Sequence, residues 1–341
     1  MTRGHHRVRG TAAALAGAAF LLAGCAAGQP ADTPPRTSSR TPSPASSGTS
    51  SPPSSPSAPP ASDRGTAADP ATWTLPLQRF RPTEAQARSI GRAEAKLVGQ
   101  CMKEFDVAWK PQAELPGAGP RNMMDWRYGI HDPALSARRG YQPDAAEQAR
   151  YETALRADRA RPAPSPDTEV LLSGTGAPGG LPPGASAEVR GGTKNGRPIP
   201  PGGCFGQARA TLGSSTRGVT PLVDRLTFDS YPASLETPEV KAVFARWSAC
   251  MAQHGHHYAA PMDADQDPRF RPNPAGVSQQ EIDTALADLA CREEHQVTRV
   301  WFTTERRIQE QYIRENTPRL TEDRHALDRV VRTAETTLTG R

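Results

Sequence analysis

This 341-residue chain contains a long proline- and serine-rich segment that is not expected to fold. Residues 26–70 hold 11 Pro and 11 Ser in 45 positions and contain no aromatic residue. Such a composition cannot bury enough apolar surface to offset the entropy of ordering, so it predicts a disordered, extended tether. The folded part must therefore be built from residues 71–341 alone.

The N-terminus predicts export and attachment to a lipid. Residues 1–10 are basic, residues 11–22 are apolar, and the tetrapeptide 22–25 reads Leu-Ala-Gly-Cys. The apolar stretch is too short to span a bilayer, which is typical of a cleaved signal peptide. Small residues before a cysteine give a processing peptidase access, so Cys25 is the expected lipid-attachment site. An ordinary signal peptide with a chance cysteine is the alternative.

Charge and composition exclude several classes of protein. The chain has 41 Lys and Arg against 36 acidic residues, but residues 1–24 contain three Arg and no acid. The mature chain is thus almost neutral, and its basic residues form no run with interleaved aromatics, so we expect no nucleic-acid partner. Hydrophobic residues make up only 36% of the chain and aromatics 6%, which excludes a polytopic membrane protein and a large deep-cored enzyme.

Four cysteines remain after Cys25, and an even number in an exported protein predicts two disulfides. They are Cys101, Cys204, Cys250 and Cys291, and three pairings are possible. None of them lies in a Cys-x-x-Cys motif, which disfavours a redox pair or a zinc knuckle.

The second half of the folded part, residues 233–341, is predicted to be a helical module. Thr237 caps a helix that ends at Gly255, and Ser278 opens a long helix that Pro318 is expected to stop. A further amphipathic helix follows over residues 320–337. Cys250 and Cys291 lie on apolar faces that a helical hairpin would bring together. This placement favours a disulfide between them.

The first half, residues 71–232, repeats that plan with a loop-rich insertion. Thr83 opens a helix through Cys101 and Met102, which match Cys250 and Met251. In the insertion we predict a helix over 144–157, a short strand or hairpin from residues 170–172 and the Asn195-Gly196 turn, and a helix after Gly202. Analogy between the halves pairs Cys101 with Cys204, and a crossed pairing between the halves stays open. The predicted fold class is mainly α, with two disulfide-clamped helical modules.

These features together resemble a group of uncharacterised secreted lipoproteins of actinobacteria. The resemblance is carried by the Leu-Ala-Gly-Cys box, the tether, the two Cys-Met pairs, the Arg-Tyr-Gly-Ile stretch from Arg127 and the segment 195–204. It covers most of residues 85–315. It implies an envelope location and helical, disulfide-bonded domains, and it implies no activity. One departure is Phe105-Asp106 after Cys101, where such proteins often have glycine.

Two sets of residues are candidates for binding. His254, His256 and His257, with Asp263, Asp265 and Asp267, are ligand types for a divalent metal, but their spacing fits no known site. We expect a solvated polar loop there, with no metal and no other cofactor. Trp109, Trp126, Tyr128 and Tyr141 lie in or near the insertion and could line a binding surface. A core with few other large residues would also use them, and we favour that interpretation.

The sequence therefore predicts an extracytoplasmic lipoprotein anchored in the cell membrane through Cys25. Its expected work is non-enzymatic binding or scaffolding, with an envelope protein or peptidoglycan as partner. A wall-directed hydrolase that uses carboxylates near the insertion is one alternative, and a metal-binding lipoprotein is another. The domain boundaries that follow are 1–24 for the signal peptide, 25–70 for the lipidated cysteine and tether, 71–232 for the first module and 233–341 for the second.

Overall fold

The computed structural model describes residues 69–270 and 276–340. Cys25, the signal peptide and all of the tether except its last two residues lie outside this range. Within it the chain is mainly helical, as predicted, and the remaining structure is one two-stranded hairpin with turns and loops. No helix in the described residues is long and apolar enough to cross a membrane.

The helices, in chain order, are α1 Glu84–Glu104, α2 Pro133–Arg139, α3 Ala145–Arg159, α4 Pro166–Ser173, α5 Ala187–Arg190, α6 Gly203–Leu212, α7 Pro221–Leu235, α8 Pro238–Gln253, α9 Pro261–Asp265, α10 Gln279–Glu294, α11 Val297–Glu315 and α12 Thr317–Thr339. Short 3₁₀ turns occupy Pro70–Thr72, Pro76–Phe80 and Pro268–Phe270. Strands β1 (Thr193–Lys194) and β2 (Arg197–Pro198) form an antiparallel hairpin around the Asn195-Gly196 turn.

Side-chain caps begin the helices where the sequence predicted them. The hydroxyl of Thr83 accepts a hydrogen bond from the amide of Gln86 at 3.2 Å and starts α1. Thr237 and Ser278 start α8 and α10 in the same way. Each cap satisfies an amide that the first helical turn leaves without a partner, which is why these residue types fix the helix starts.

Two local predictions were wrong. The long helix after Ser278 is divided, because Gln296 adopts a left-handed conformation with φ of 55° and separates α10 from α11. Pro318 then lies in the first turn of α12 rather than ending a helix, a position where its missing amide costs nothing. Residues 170–172 are helical in α4 instead of extended, because Ser165 caps the helix and Pro166 occupies its first position.

Helices from both predicted modules pack together in one compact unit. Helix α1 packs along α12, and α7 packs along α11. The largest core cluster surrounds Trp247 and Trp301, and it includes Leu75, Met124 and Tyr128 from the first half of the chain. The aromatic residues thus supply the centre of a core that has few other large side chains.

Two disulfides join helices of this core. Cys101–Cys204 links α1 to α6 across 103 residues, and Cys250–Cys291 links α8 to α10 across 41 residues. These are the pairs favoured in the sequence analysis, and the crossed pairings do not occur. Both disulfides are buried, so they act as internal ties between packed helices.

The chain before α1 is held firmly to the core. Leu75 and Leu77 are 2% and 0% exposed, and the amide of Leu77 donates to Oε1 of Gln309 in α11 at 2.9 Å. Upstream of them, both carboxylate oxygens of Asp69 accept hydrogen bonds from Arg121 at 2.8 Å. The start of the described chain is therefore part of the tertiary structure.

Candidate functional site

The candidate site is an open groove of about 1040 Å³ beside α1 and α6. Part of its lining is the face of α1 around Gly91 and Ala95, and another part is the chain that follows α1, residues 107–114, which forms no helix or strand. The apolar lining includes Trp109, Phe205 and Leu172.

Local structure at the end of α1 positions the extended chain. Phe105 caps the helix, Asp106 takes a left-handed φ of 58°, and the amide of Val107 donates back to Met102 at 3.1 Å. This turn directs the chain away from the helix and places the Trp109 ring edge-on to Phe205, with centroids 6.3 Å apart. Because Phe205 follows Cys204, the Cys101–Cys204 disulfide holds Phe205 close to the end of α1.

The extended chain along the groove has unused main-chain groups. Among the described residues, none of the backbone amides of residues 108–110, 112–115 and 117–118 donates a hydrogen bond, and Pro111 and Pro116 have no N–H to donate. Two of its carbonyls, of Lys110 and Pro111, accept from Arg161 at 3.3 and 3.2 Å. An exposed chain of this kind can pair with another extended chain, as the edge strand of a sheet does.

The groove carries more positive charge than negative charge in its ion pairs. Glu94 is 2% exposed, and its two oxygens accept hydrogen bonds from Arg209 at 3.1 Å and from Arg217 at 2.7 Å. One carboxylate thus serves two guanidinium groups, which leaves a net positive charge at this point. Arg92, Lys110 and Glu114 in the lining are all exposed and form no ion pair with the described residues, so four basic residues of the whole lining stand against three acidic ones. This charge favours a ligand that bears a carboxylate.

Of the four aromatic residues predicted as a possible surface, only Trp109 lines the groove. Tyr128 is 1% exposed, and its hydroxyl donates to buried Glu305 at 2.8 Å, so it is part of the core, the interpretation favoured above, and not of a binding surface. Tyr141 donates to Asp288 at 3.2 Å and stacks on Phe270. Burial raises the pKa of both tyrosines, which remain protonated hydrogen-bond donors.

The ring of Trp126 lies elsewhere, against the guanidinium of Arg139, whose Cζ is 5.6 Å from the centroid. It packs beside Gly119 and does not line the groove. The aromatic residues of the insertion therefore divide between the core, the surface near α2 and the groove.

The predicted metal candidates do not gather into one site. His256 contacts the hydroxyl of Thr284 at 3.3 Å, and Asp263 accepts from the amide of Ala260 at the start of α9. Partial burial raises the pKa of Asp265 to about 6, with the charge of Arg292 opposing that rise. The Asp267 carboxylate pairs with Arg269, which lowers its pKa. His257 belongs to no potential metal-binding group within the described residues.

A different cluster, formed by Asp69, Asp125 and His131, brings three potential metal ligands within 4.8 Å of one another. Arg121 donates to both carboxylates, and His131 contacts Asp125 at 2.9 Å. Burial disfavours the charged form of Asp125, but these hydrogen bonds outweigh burial and hold its pKa at about 2. The guanidinium already supplies the positive charge, so the cluster is an ion-pair clamp.

The chain matches no family model, no curated protein and no solved structure.

The chemistry of the groove suits binding better than acid–base catalysis. Of the three carboxylates in its lining, Glu94 binds two arginines and Asp158 pairs with Arg161, while Glu114 is exposed. Sequence reasoning found Trp109 but missed Phe205, Glu94 and Arg217. These residues come together only through contacts between distant parts of the chain, and no local pattern signals them.

Proposed function

We propose that this protein is a lipid-anchored binding component of the cell envelope, and that its groove holds an extended polypeptide segment bearing a carboxylate. The groove, beside which the amides of residues 108–110 and 112–114 donate no hydrogen bond within the described part of the chain, is the observation that supports the proposal. The lipid anchor is proposed at Cys25, on the extracytoplasmic face of the membrane, from the N-terminal pattern.

The choice of polypeptide rests on the main-chain groups. An added strand gains affinity from backbone hydrogen bonds and specificity from pockets for alternate side chains. Trp109 and Phe205 supply an apolar pocket beside the extended chain, and the Arg209–Glu94–Arg217 cluster supplies the charge for an acidic group. A glycan strand could stack on the aromatic rings, but it would leave the unused main-chain amides beside the groove without a regular hydrogen-bond partner.

A photo-crosslinking experiment tests this function on the full-length lipoprotein in its own membrane. A photoreactive amino acid replaces Lys110 on the groove rim, and the control places it at Phe228, which is 77% exposed on α7 and does not line the groove. We expect a discrete protease-sensitive adduct from position 110 only, reduced at least tenfold by Trp109→Ala. An adduct digested by a muramidase instead would indicate a glycan ligand. Equal crosslinking at both positions, or none at position 110, would refute the proposal.

The anchor is tested separately. A Cys25→Ser variant should move from the membrane fraction to the soluble fraction and lose incorporation of a labelled fatty acid. Persistence of the variant in the membrane fraction would mean that something other than the Cys25 lipid holds the chain there.

A further inference from the structure

Two Cys-x-x-x-His pairs mark the region where α8 and α10 end. His254 follows Cys250 by four residues, and His295 follows Cys291 by four residues. Each histidine is the C-cap residue of its helix. Residues four apart on a helix lie on the same face, so each histidine lies about one turn beyond its cysteine.

The disulfide brings the two pairs to one place. The Cα atoms of Cys250 and Cys291 are 5.7 Å apart. Their sulfur atoms and a ring nitrogen of His254 all lie within 4.8 Å of one another. A ring nitrogen of His295 and a carboxylate oxygen of Glu294 lie equally close to the sulfur of Cys250. The sulfur of Cys250 therefore belongs to both groups, which together contain two sulfurs and two imidazoles.

This ligand set and spacing match the requirements of zinc. Zn²⁺ prefers four tetrahedral ligands, with Zn–S of about 2.3 Å and Zn–N of about 2.0–2.1 Å. Tetrahedral angles then place the two sulfurs about 3.8 Å apart. Once the S–S bond is broken, side-chain rotation of the two cysteines and of His295 would have to bring the four ligand atoms to these distances. The carbonyl ends of α8 and α10 also favour a cation here.

We propose that Cys250, His254, Cys291 and His295 form a zinc site when the disulfide between the two cysteines is reduced. A dithiol reductant gives two electrons and two protons to the disulfide, which becomes two thiols while the dithiol becomes a disulfide. Zn²⁺ then displaces one proton from each thiol and binds both thiolates with two neutral imidazoles. Bound zinc would then replace the disulfide as the link between α8 and α10. It is independent of the groove and its ligand.

The other disulfide is a built-in control. The residues four positions after Cys101 and Cys204 are Phe105 and Ala208, which cannot bind a metal. Cys101 and Cys204 also belong to no potential metal-binding group within the described part of the chain. Reduction of both disulfides should thus create one zinc site and not two.

The test uses the full chain, reduced with a phosphine, desalted without oxygen and titrated with Co²⁺ and then Zn²⁺. We expect one Co²⁺ per chain with the visible absorption of a tetrahedral thiolate site, displaced by Zn²⁺, and no binding by the oxidised protein. His254→Ala and His295→Ala should each weaken binding by more than the ~10–100-fold that loss of an outer partner costs. His257→Ala, from the same loop, should leave binding unchanged.

A reduced protein that takes up no Co²⁺ or Zn²⁺ would overturn the proposal. So would histidine variants that bind as tightly as the parent, or a Cys250→Ala/Cys291→Ala variant that still binds through Cys101 and Cys204. Far-ultraviolet circular dichroism is recorded at each step. If reduction lowers the helix signal, Zn²⁺ must restore it in the parent and not in the histidine variants, and failure to restore it counts against the site.

Discussion

Buried Glu305 should be a principal determinant of stability. Its side chain is 0% exposed, and it binds the guanidinium of Arg127, the hydroxyl of Tyr128 at 2.8 Å and the hydroxyl of Ser230 at 2.7 Å. Glu305→Gln keeps the shape but replaces one acceptor oxygen with a donor amide that faces other donors. Arg127, whose side chain is only 13% exposed, then keeps a charge with no counter-ion beside it.

Breaking a buried ion pair costs about 3–5 kcal/mol, and the partial exposure of Arg127 places this one near about 3 kcal/mol. Glu310→Gln is the matched control on the same helix, because Glu310 pairs with Arg306 at 3.0 Å on the exposed face. Loss of that pair should cost about 0.5 kcal/mol or less. Urea unfolding followed by circular dichroism, with disulfides intact, measures both. Equal costs for the two variants would refute the reasoning that burial and shared donors make Glu305 important.

Three further predictions follow from single contacts. Gly203→Ala should lower the free energy of unfolding by about 2–3 kcal/mol, because φ is +64° and the new Cβ would lie 2.5 Å from the Leu172 carbonyl carbon. Gly213→Ala is the control, because the space around it is open, and it should cost only about 1 kcal/mol. Thermal unfolding measures both. Replacing Cys101 and Cys204 by alanine should lower the free energy of unfolding by about 4–5 kcal/mol, because the disulfide closes a loop across 103 residues of the chain. Denaturant unfolding measures this, and a loss below about 1 kcal/mol would contradict it. The pKa of Asp125 in the folded protein is about 2, below its usual 3.8, so the stability that this carboxylate contributes is present above pH 4 and is lost towards pH 2. In Asp125→Asn the free energy of unfolding should therefore fall less between pH 4 and pH 2. An unchanged dependence on pH would contradict the assignment.

Sequence reasoning succeeded where the signal was local. Thr83, Thr237 and Ser278 start helices because a side-chain oxygen beside the first turn is a local, chemically specific cap. The same logic was available at Ser165-Pro166, where cap and proline begin α4, but the apolar residues that follow suggested a strand.

Other features had no local signal. The break at Gln296 contains neither glycine nor proline, and the apolar spacing continues across it, so only tertiary packing decides that α10 and α11 are separate helices. The groove depends on Glu94 meeting Arg209 and Arg217 from more than a hundred residues away. Contacts at such separations are set by how helices pack, which a single sequence does not display.

The attachment of the first described residues to the core has a mechanical consequence. A force pulling on the chain ahead of residue 69 would first load the Asp69–Arg121 ion pair and then the buried Leu75 and Leu77. Those leucines must leave the core, and the Leu77–Gln309 hydrogen bond must break, before the force reaches α1. A pull on this end of the chain would thus be resisted first by the partly exposed Asp69–Arg121 ion pair and then by the buried leucines.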